Sequence, residues 1–129
     1  MGRIFAQVKL SSFSDPDKAM TVSALVDTGA AYVTLPNAWR DTFGPLDRLA
    51  DVEVELANQS RTAGSLCGPV RVQIDQFRPI VGEILFLDMQ PDEDGRYEPL
   101  VGYIALEQAG AAVDMLGHRL MQVKHVDLK

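Results

Sequence analysis

The segment Ala24-Leu25-Val26-Asp27-Thr28-Gly29-Ala30 sets a carboxylate, a hydroxyl and a glycine directly after an apolar run. A carboxylate at the end of a buried strand can activate water only if something holds it in place. A following glycine lets backbone N–H groups approach it without a Cβ in the way. Thr28 is placed to brace the loop by hydrogen bonding. The chemistry this suggests is hydrolysis, and hydrolysis of a peptide by carboxylates alone needs two of them. One is ionised to take a proton from water, the other protonated to polarise the carbonyl. Two acids sharing a site reach that state unaided, because like charges about 3 Å apart cannot both ionise.

A second Asp in a comparable setting is missing from the sequence. Asp114 follows Ala112-Val113 but precedes Met115-Leu116-Gly117, and Asp47, Asp75 and Asp94 lack either the apolar lead-in or the Thr-Gly. A chain that used this chemistry would therefore borrow the Asp27 of an equal partner through a two-fold interface. The plainer alternative is an ordinary turn, with Asp27 bonding its own backbone and Gly29 taking a positive φ. Three residues alone do not decide between them.

The elements around Asp27 announce themselves by alternation, which puts successive side chains on opposite faces of a sheet. Ile4, Ala6, Val8 and Leu10 line one face of a first strand; after the turn Ser14-Asp15-Pro16-Asp17, Met20, Val22, Ala24 and Val26 line a second that runs straight into Asp27. A short strand is expected from Tyr32 to Leu35, then a turn or two of helix with Asn37 as N-cap, stopped by Gly44-Pro45. Val52, Val54 and Leu56 alternate with Asp51, Glu53 and Glu55, and the polar break Asn58-Gln59-Ser60 precedes a returning arm from Arg61 to Leu66. That is a projecting hairpin. Val70, Val72 and Ile74 read as a further half-buried strand, and Ile80 to Leu87, apolar on both faces apart from Glu83, as a central one. Ile104 to Ala109 suits a short helix closed by Gly110, and Val113 with Leu120 to Val123 supplies final strands across Gly117-His118. The sum is a mostly β chain with one or two short helices.

At 129 residues, with no linker-like stretch, repeat or low-complexity tract, the chain is expected to form one domain over 1–129. Twelve basic against eighteen acidic side chains leave a net charge of −6, and the Arg and Lys residues are scattered, so no phosphate-tracking stripe exists and nucleic acid is an unexpected partner. No apolar stretch approaches the roughly 18 residues needed to cross a bilayer, and Met1 to Val8 alternates instead of forming a signal-peptide core. A soluble, cytoplasmic protein without a membrane partner is the expectation. Cys67, the single cysteine, reads as a small buried hydrophobe in a reducing compartment. No metal or cofactor is expected: the acidic run Asp88 to Asp94 lacks calcium-loop spacing, and His118 and His125 have no Cys or carboxylate at zinc-site spacing. Ser11, Ser12, Ser14 and Ser65 have no nucleophile-elbow context. Trp39 and Tyr32, beside a Leu-Pro, suit a core better than a substrate pocket.

Taken together, Leu25-Val26-Asp27-Thr28-Gly29-Ala30, Thr34-Leu35-Pro36 and Pro99-Leu100-Val101-Gly102 followed by the helix Ile104 to Gly110 make the chain resemble the retropepsin-like aspartic proteases. These are the single-domain retroviral proteases (clan AA) and their bacterial relatives, with which the chain would be placed. The resemblance spans nearly the whole length. It implies a closed, barrel-like acid-protease fold and a homodimer acting on polypeptide, with Asp27, Thr28 and Gly29 in the catalytic loop. The apolar-apolar-Gly element, Leu100-Val101-Gly102, would pack beneath that loop. The Asp51 to Leu66 hairpin would be the flap, and Ala30 with the tip residues Ala57, Asn58, Gln59 and Ser60 would contact substrate. The chain termini, Ile4 to Val8 and Leu120 to Val123, would interleave across the dimer, unless they are plain edge strands within one copy. The sequence departs from the viral pattern at the tip, which has no glycine, and at Ala31 and Tyr103, where viral enzymes carry an acid and an Arg that pair.

Two functions fit. The first is an aspartic endopeptidase with a water activated by the shared-proton pair of Asp27 residues. The second is a dimeric peptide-binding or scaffold domain that keeps the fold without cutting.

Overall fold

A computed structural model describes residues 3–55 and 58–123. Strand β1 (Phe5–Ser12) buries Ala6, Val8 and Leu10 and exposes the residues between them, and β2 (Ala19–Val26) does the same with Val22 and Ala24. Both strands thus present the face their alternation predicts. They pair antiparallel from Phe5↔Leu25 to Ser11↔Ala19. A short β3 (Val33–Pro36) is buried along its whole length. Strands β4 (Asp47–Glu55) and β5 (Arg61–Ile74) form a long antiparallel hairpin, β6 (Ile80–Leu87) pairs with β5, and β7 (Leu100–Val101) completes the set.

The strands follow the order β1-β2-β7-β3-β6-β5-β4, and a β1–β5 pairing closes the first six into a barrel. Closure removes the free edges that an open sheet would present. The barrel is filled by Val8, Leu10, Leu35, Val72, Ile74 and Ile84, with Phe43 packed on Phe86 at 6.1 Å between ring centroids. Helix α1 (Tyr103–Ala109) lies outside, ended by Gly110 in the left-handed conformation, and the chain finishes in a separate two-stranded sheet of β8 (Ala111–Asp114) and β9 (Arg119–Gln122).

Two expectations are corrected. The helix after β3 is 3-10 over Asn37–Phe43, and its cap position is taken by Pro36 with no side-chain cap, so Asn37 is not the N-cap but the first helical residue. Arg61 to Leu66 and the strand of Val70, Val72 and Ile74 are one element, β5, because a register shift between Cys67 and Val70 absorbs Gly68-Pro69 without ending the strand. Within one copy, Ile4 to Val8 is part of a strand paired with β2. β1 is held on one side by β2 and, from Val8 onward, on the other by β5, and the Ile4 carbonyl accepts from Val26 N–H at 2.8 Å. Leu56 and Ala57 of the hairpin, Met1-Gly2, and His125 lie outside the described residues. Among those described, no helix is long and apolar enough to cross a membrane.

Candidate active site

Asp27 is the first residue past β2, and its position is fixed by backbone on two sides. Its N–H donates to the Val101 carbonyl at 3.0 Å, extending the parallel β2–β7 pairing, and its own carbonyl accepts from Ala30 N–H at 3.1 Å to close a tight turn. The carboxylate is then aimed by the loop itself: Gly29 N–H donates to Oδ1 at 2.9 Å. A Cβ on Gly29 would come within 3.2 Å of that oxygen, so the smallest residue gives the closest unobstructed donor.

The loop is clamped from below by α1. Tyr103 N–H donates to the Ala30 carbonyl at 2.8 Å and Ile104 N–H to the Ala31 carbonyl at 3.2 Å. These are N–H groups of the helix's first turn, which have no intrahelical partner. Such contacts require the chain before the helix to touch the loop, and Gly102 allows it: a Cβ there would lie 2.5 Å from the Ala30 oxygen and 2.6 Å from the Ala31 carbonyl carbon. Leu100-Val101-Gly102 is therefore the support expected beneath the loop. Backbone N–H groups hold the loop within one copy, and Thr28 is exposed and borders a groove toward α1 and β8.

Beside Asp27 opens a cleft of about 540 Å³. Gly29, Ala30, Ala31 and Tyr32 form the loop side, Val52 to Glu55 of β4 the facing wall, and Leu85, Leu87, Leu100 and Thr34 the floor. Leu66, Leu85 and Leu87 pack with Tyr32, Val52 and Val54 into an apolar cluster separate from the barrel core. Such a surface suits apolar side chains of a bound ligand, with polar groups only at the loop and on the outer wall. Glu53 and Glu55 project there. Glu53 meets Arg61 at 3.5 Å, an exposed pair that contributes little to stability.

The hairpin reaches past the barrel. β5 joins β6 only from Gly64 onward, leaving Glu53 to Glu55 and Arg61 to Ala63 paired with each other alone. At its tip Asn58 Oδ1 accepts from Ser60 N–H at 3.0 Å, and Gln59 sits at φ 67°. Asn58, Gln59 and Ser60 are exposed and do not line the cleft, and Ala57 lies outside the described residues. Of the residues expected to contact substrate, the structure brings Ala30 to Asp27 and leaves the three described tip residues apart from it.

Sequence reading missed much of the cleft. Tyr32, expected in the core, lines it; Trp39 is half-buried and packs edge-on to Tyr97 at 5.7 Å. Val52 and Val54 were legible as one face of a strand, and Leu85 and Leu87 as part of a two-faced apolar run, but nothing in either pattern says which face meets Asp27. Cys67 is fully buried, as expected, with the Arg40 guanidinium donating to its sulfur at 3.2 Å. A second cavity of about 300 Å³ lies between β6 and α1, behind Ala31 to Val33, and does not include Asp27. Among the described residues no three His, Cys, Asp or Glu side chains converge as a metal site.

No family profile matches the sequence, and no curated protein does. Among solved structures, the chain is similar to EIAV protease complexed with the inhibitor HBY-793, with a TM-score of 0.64 and 16% identity, covering 88% of this chain and 94% of that one. The six-strand closed barrel, the support beneath the Asp27 loop and this likeness agree: the chain has a retropepsin-like fold.

Proposed function

We propose that this chain is one half of an aspartic endopeptidase whose catalytic pair forms when two copies each contribute Asp27. The observation that carries the reading is the Asp27 carboxylate, held by Gly29 N–H at 2.9 Å at the mouth of an apolar cleft walled on one side by β4. A water between the two carboxylates gives a proton to the ionised one and attacks the scissile carbonyl, which the protonated one polarises. The proton then passes to the departing amine. An extended polypeptide lies along the cleft, its apolar side chains against Val52, Val54, Leu85 and Leu87, and no cofactor takes part.

The test is Asp27→Asn, which keeps the shape and removes the base. Cleavage of a peptide library should fall by about 10⁴-fold or more, while circular dichroism and sedimentation match the parent chain; persisting cleavage would refute the assignment. The tip supports one rival. The Asn58 to Ser60 brace holds the end of the hairpin without a glycine, which suits a dimeric module that grips peptide without cutting. Tight binding of an unhydrolysed peptide, with no turnover between acid and neutral pH, would favour that rival.

A further inference from the structure

One face of β6 runs past two cavities. Ile80, Ile84 and Phe86 point into the barrel core, so Val81, Glu83, Leu85 and Leu87 share the opposite face. Leu85 and Leu87 floor the cleft beside Asp27, whereas Val81 and Glu83 border the separate cavity of about 300 Å³. Ala31 and Tyr32 line both cavities. Side chains two residues apart on a strand face stand about 7 Å from each other, so the second cavity begins one such step beyond Leu85. An extended peptide advances by the same step. One that seats a side chain on Leu85 and continues along this face presents its next side chain there to Glu83.

The second cavity offers that side chain apolar walls and one charge. Leu49 and Val81, both exposed, form the walls with Ile104, and Glu83 stands exposed at the rim. Neither cavity is lined by a Lys or Arg among the described residues, and Glu83 forms no ion pair with any of them. Two neighbouring cations are engaged elsewhere. Arg71, opposite Val81 in the β5–β6 ladder, lies over the Phe13 ring at 5.5 Å, and Arg78 donates to the Gln108 carbonyl at 2.7 Å. Apolar walls that end in an unpaired carboxylate match a long side chain with an aliphatic stem and a cationic head.

We infer that this cavity is a distal subsite of the cleft, in which Glu83 selects Lys or Arg of the polypeptide substrate at a position beyond the one seated on Leu85. This rests on the endopeptidase reading. The stem of the basic residue lies on Val81 and Leu49, and its charge meets the Glu83 carboxylate. Glu83 touches substrate away from the reacting atoms, so it sets affinity and leaves the chemical step alone.

The test compares Lys with norleucine, which keeps the stem and removes the charge. Digestion of a peptide library by the parent chain identifies the position at which Lys or Arg is enriched. Three peptides with Lys, norleucine or Glu there are then cleaved by the parent, Glu83→Gln and Glu83→Lys chains, with circular dichroism confirming the fold of each. The parent should prefer Lys to norleucine about fivefold in kcat/KM, carried by KM, and the preference should fade in about 1 M salt. Glu83→Gln should treat those two peptides alike, and Glu83→Lys should favour Glu. Capture of the same library on immobilised Asp27→Asn chain, with and without Glu83→Gln, reads the subsite apart from the chemistry. Cleavage without Lys or Arg enrichment, or a preference that survives Glu83→Gln, would overturn the subsite and leave the Asp27 pair standing. A parent chain that cuts nothing, beside Glu83-dependent capture of basic peptides, would sustain the subsite and remove the catalytic reading. A chain that cuts nothing and shows no such preference in capture would overturn both.

Discussion

Gly29 and Gly102 hold the Asp27 loop from opposite sides, one by letting a donor reach the carboxylate and the other by letting the helix below reach the loop. They differ in what a side chain would strike. At Gly29 the nearest atom is the carboxylate oxygen itself, which can rotate; at Gly102 the nearest atoms are the backbone of Ala30 and Ala31, which can yield only if the loop moves. Gly102→Ala should therefore destabilise the chain by about 1–3 kcal/mol through overpacking and, because the loop shifts, lower cleavage more than its stability loss explains. Urea unfolding set beside activity measured well below the transition checks this. Activity unchanged in a variant destabilised by that amount would show that the loop's placement does not depend on Gly102.

At the scale of the element, the β8–β9 turn is tied to one carboxylate. Gly117 N–H donates to Asp114 Oδ1 at 3.0 Å, and Arg119 Nε donates to Oδ2 at 3.3 Å. The Gly117 bond first, and Arg119 second, hold the Asp114 carboxyl below its ordinary value. The unfolded carboxyl keeps that ordinary value, so the ionised form adds stability to the turn above it, and this is lost as pH falls through the lower, folded value. Amide protection at Leu116 and Gly117 should accordingly decline below about pH 4. Asp114→Asn, which lacks the titration, should lose that decline; protection in Asp114→Asn that still falls over the same range would place its cause elsewhere. The β4–β5 hairpin beside the cleft was harder to read at this scale. Its alternation was plain, yet Gly68-Pro69 disguised the length of β5, since a bulge and a strand end carry the same residues.

For the whole molecule, the paired site makes a quantitative statement about mixtures. If two Asp27 residues form one site, a chain carrying Asp27→Asn spoils every partner it takes. Unfolding equal amounts of parent and Asp27→Asn chains together and refolding them should leave about a quarter of the original activity under random pairing. A site complete within one chain would leave about half. The comparison is read from initial rates at fixed total protein, and it is indifferent to which surface joins the copies.

Most of the strands, the carboxylate at the end of β2 and the short helix before a closing Gly110 were determined by the sequence alone, because alternation, turn residues and caps act over a few positions. The support of the loop by Leu100-Val101-Gly102 was legible only through the likeness of several motifs taken together. What the tertiary structure decided is everything that depends on closure. Pairing β1 with β5 took the N-terminal strand into the barrel and left β8–β9 outside it. The registers of β4 on β5 and of β5 on β6 put Val52, Val54, Leu85 and Leu87 in the cleft beside Asp27. A strand's period fixes which residues share a face, but contacts between residues far apart in the chain, set by packing and register, choose what that face meets.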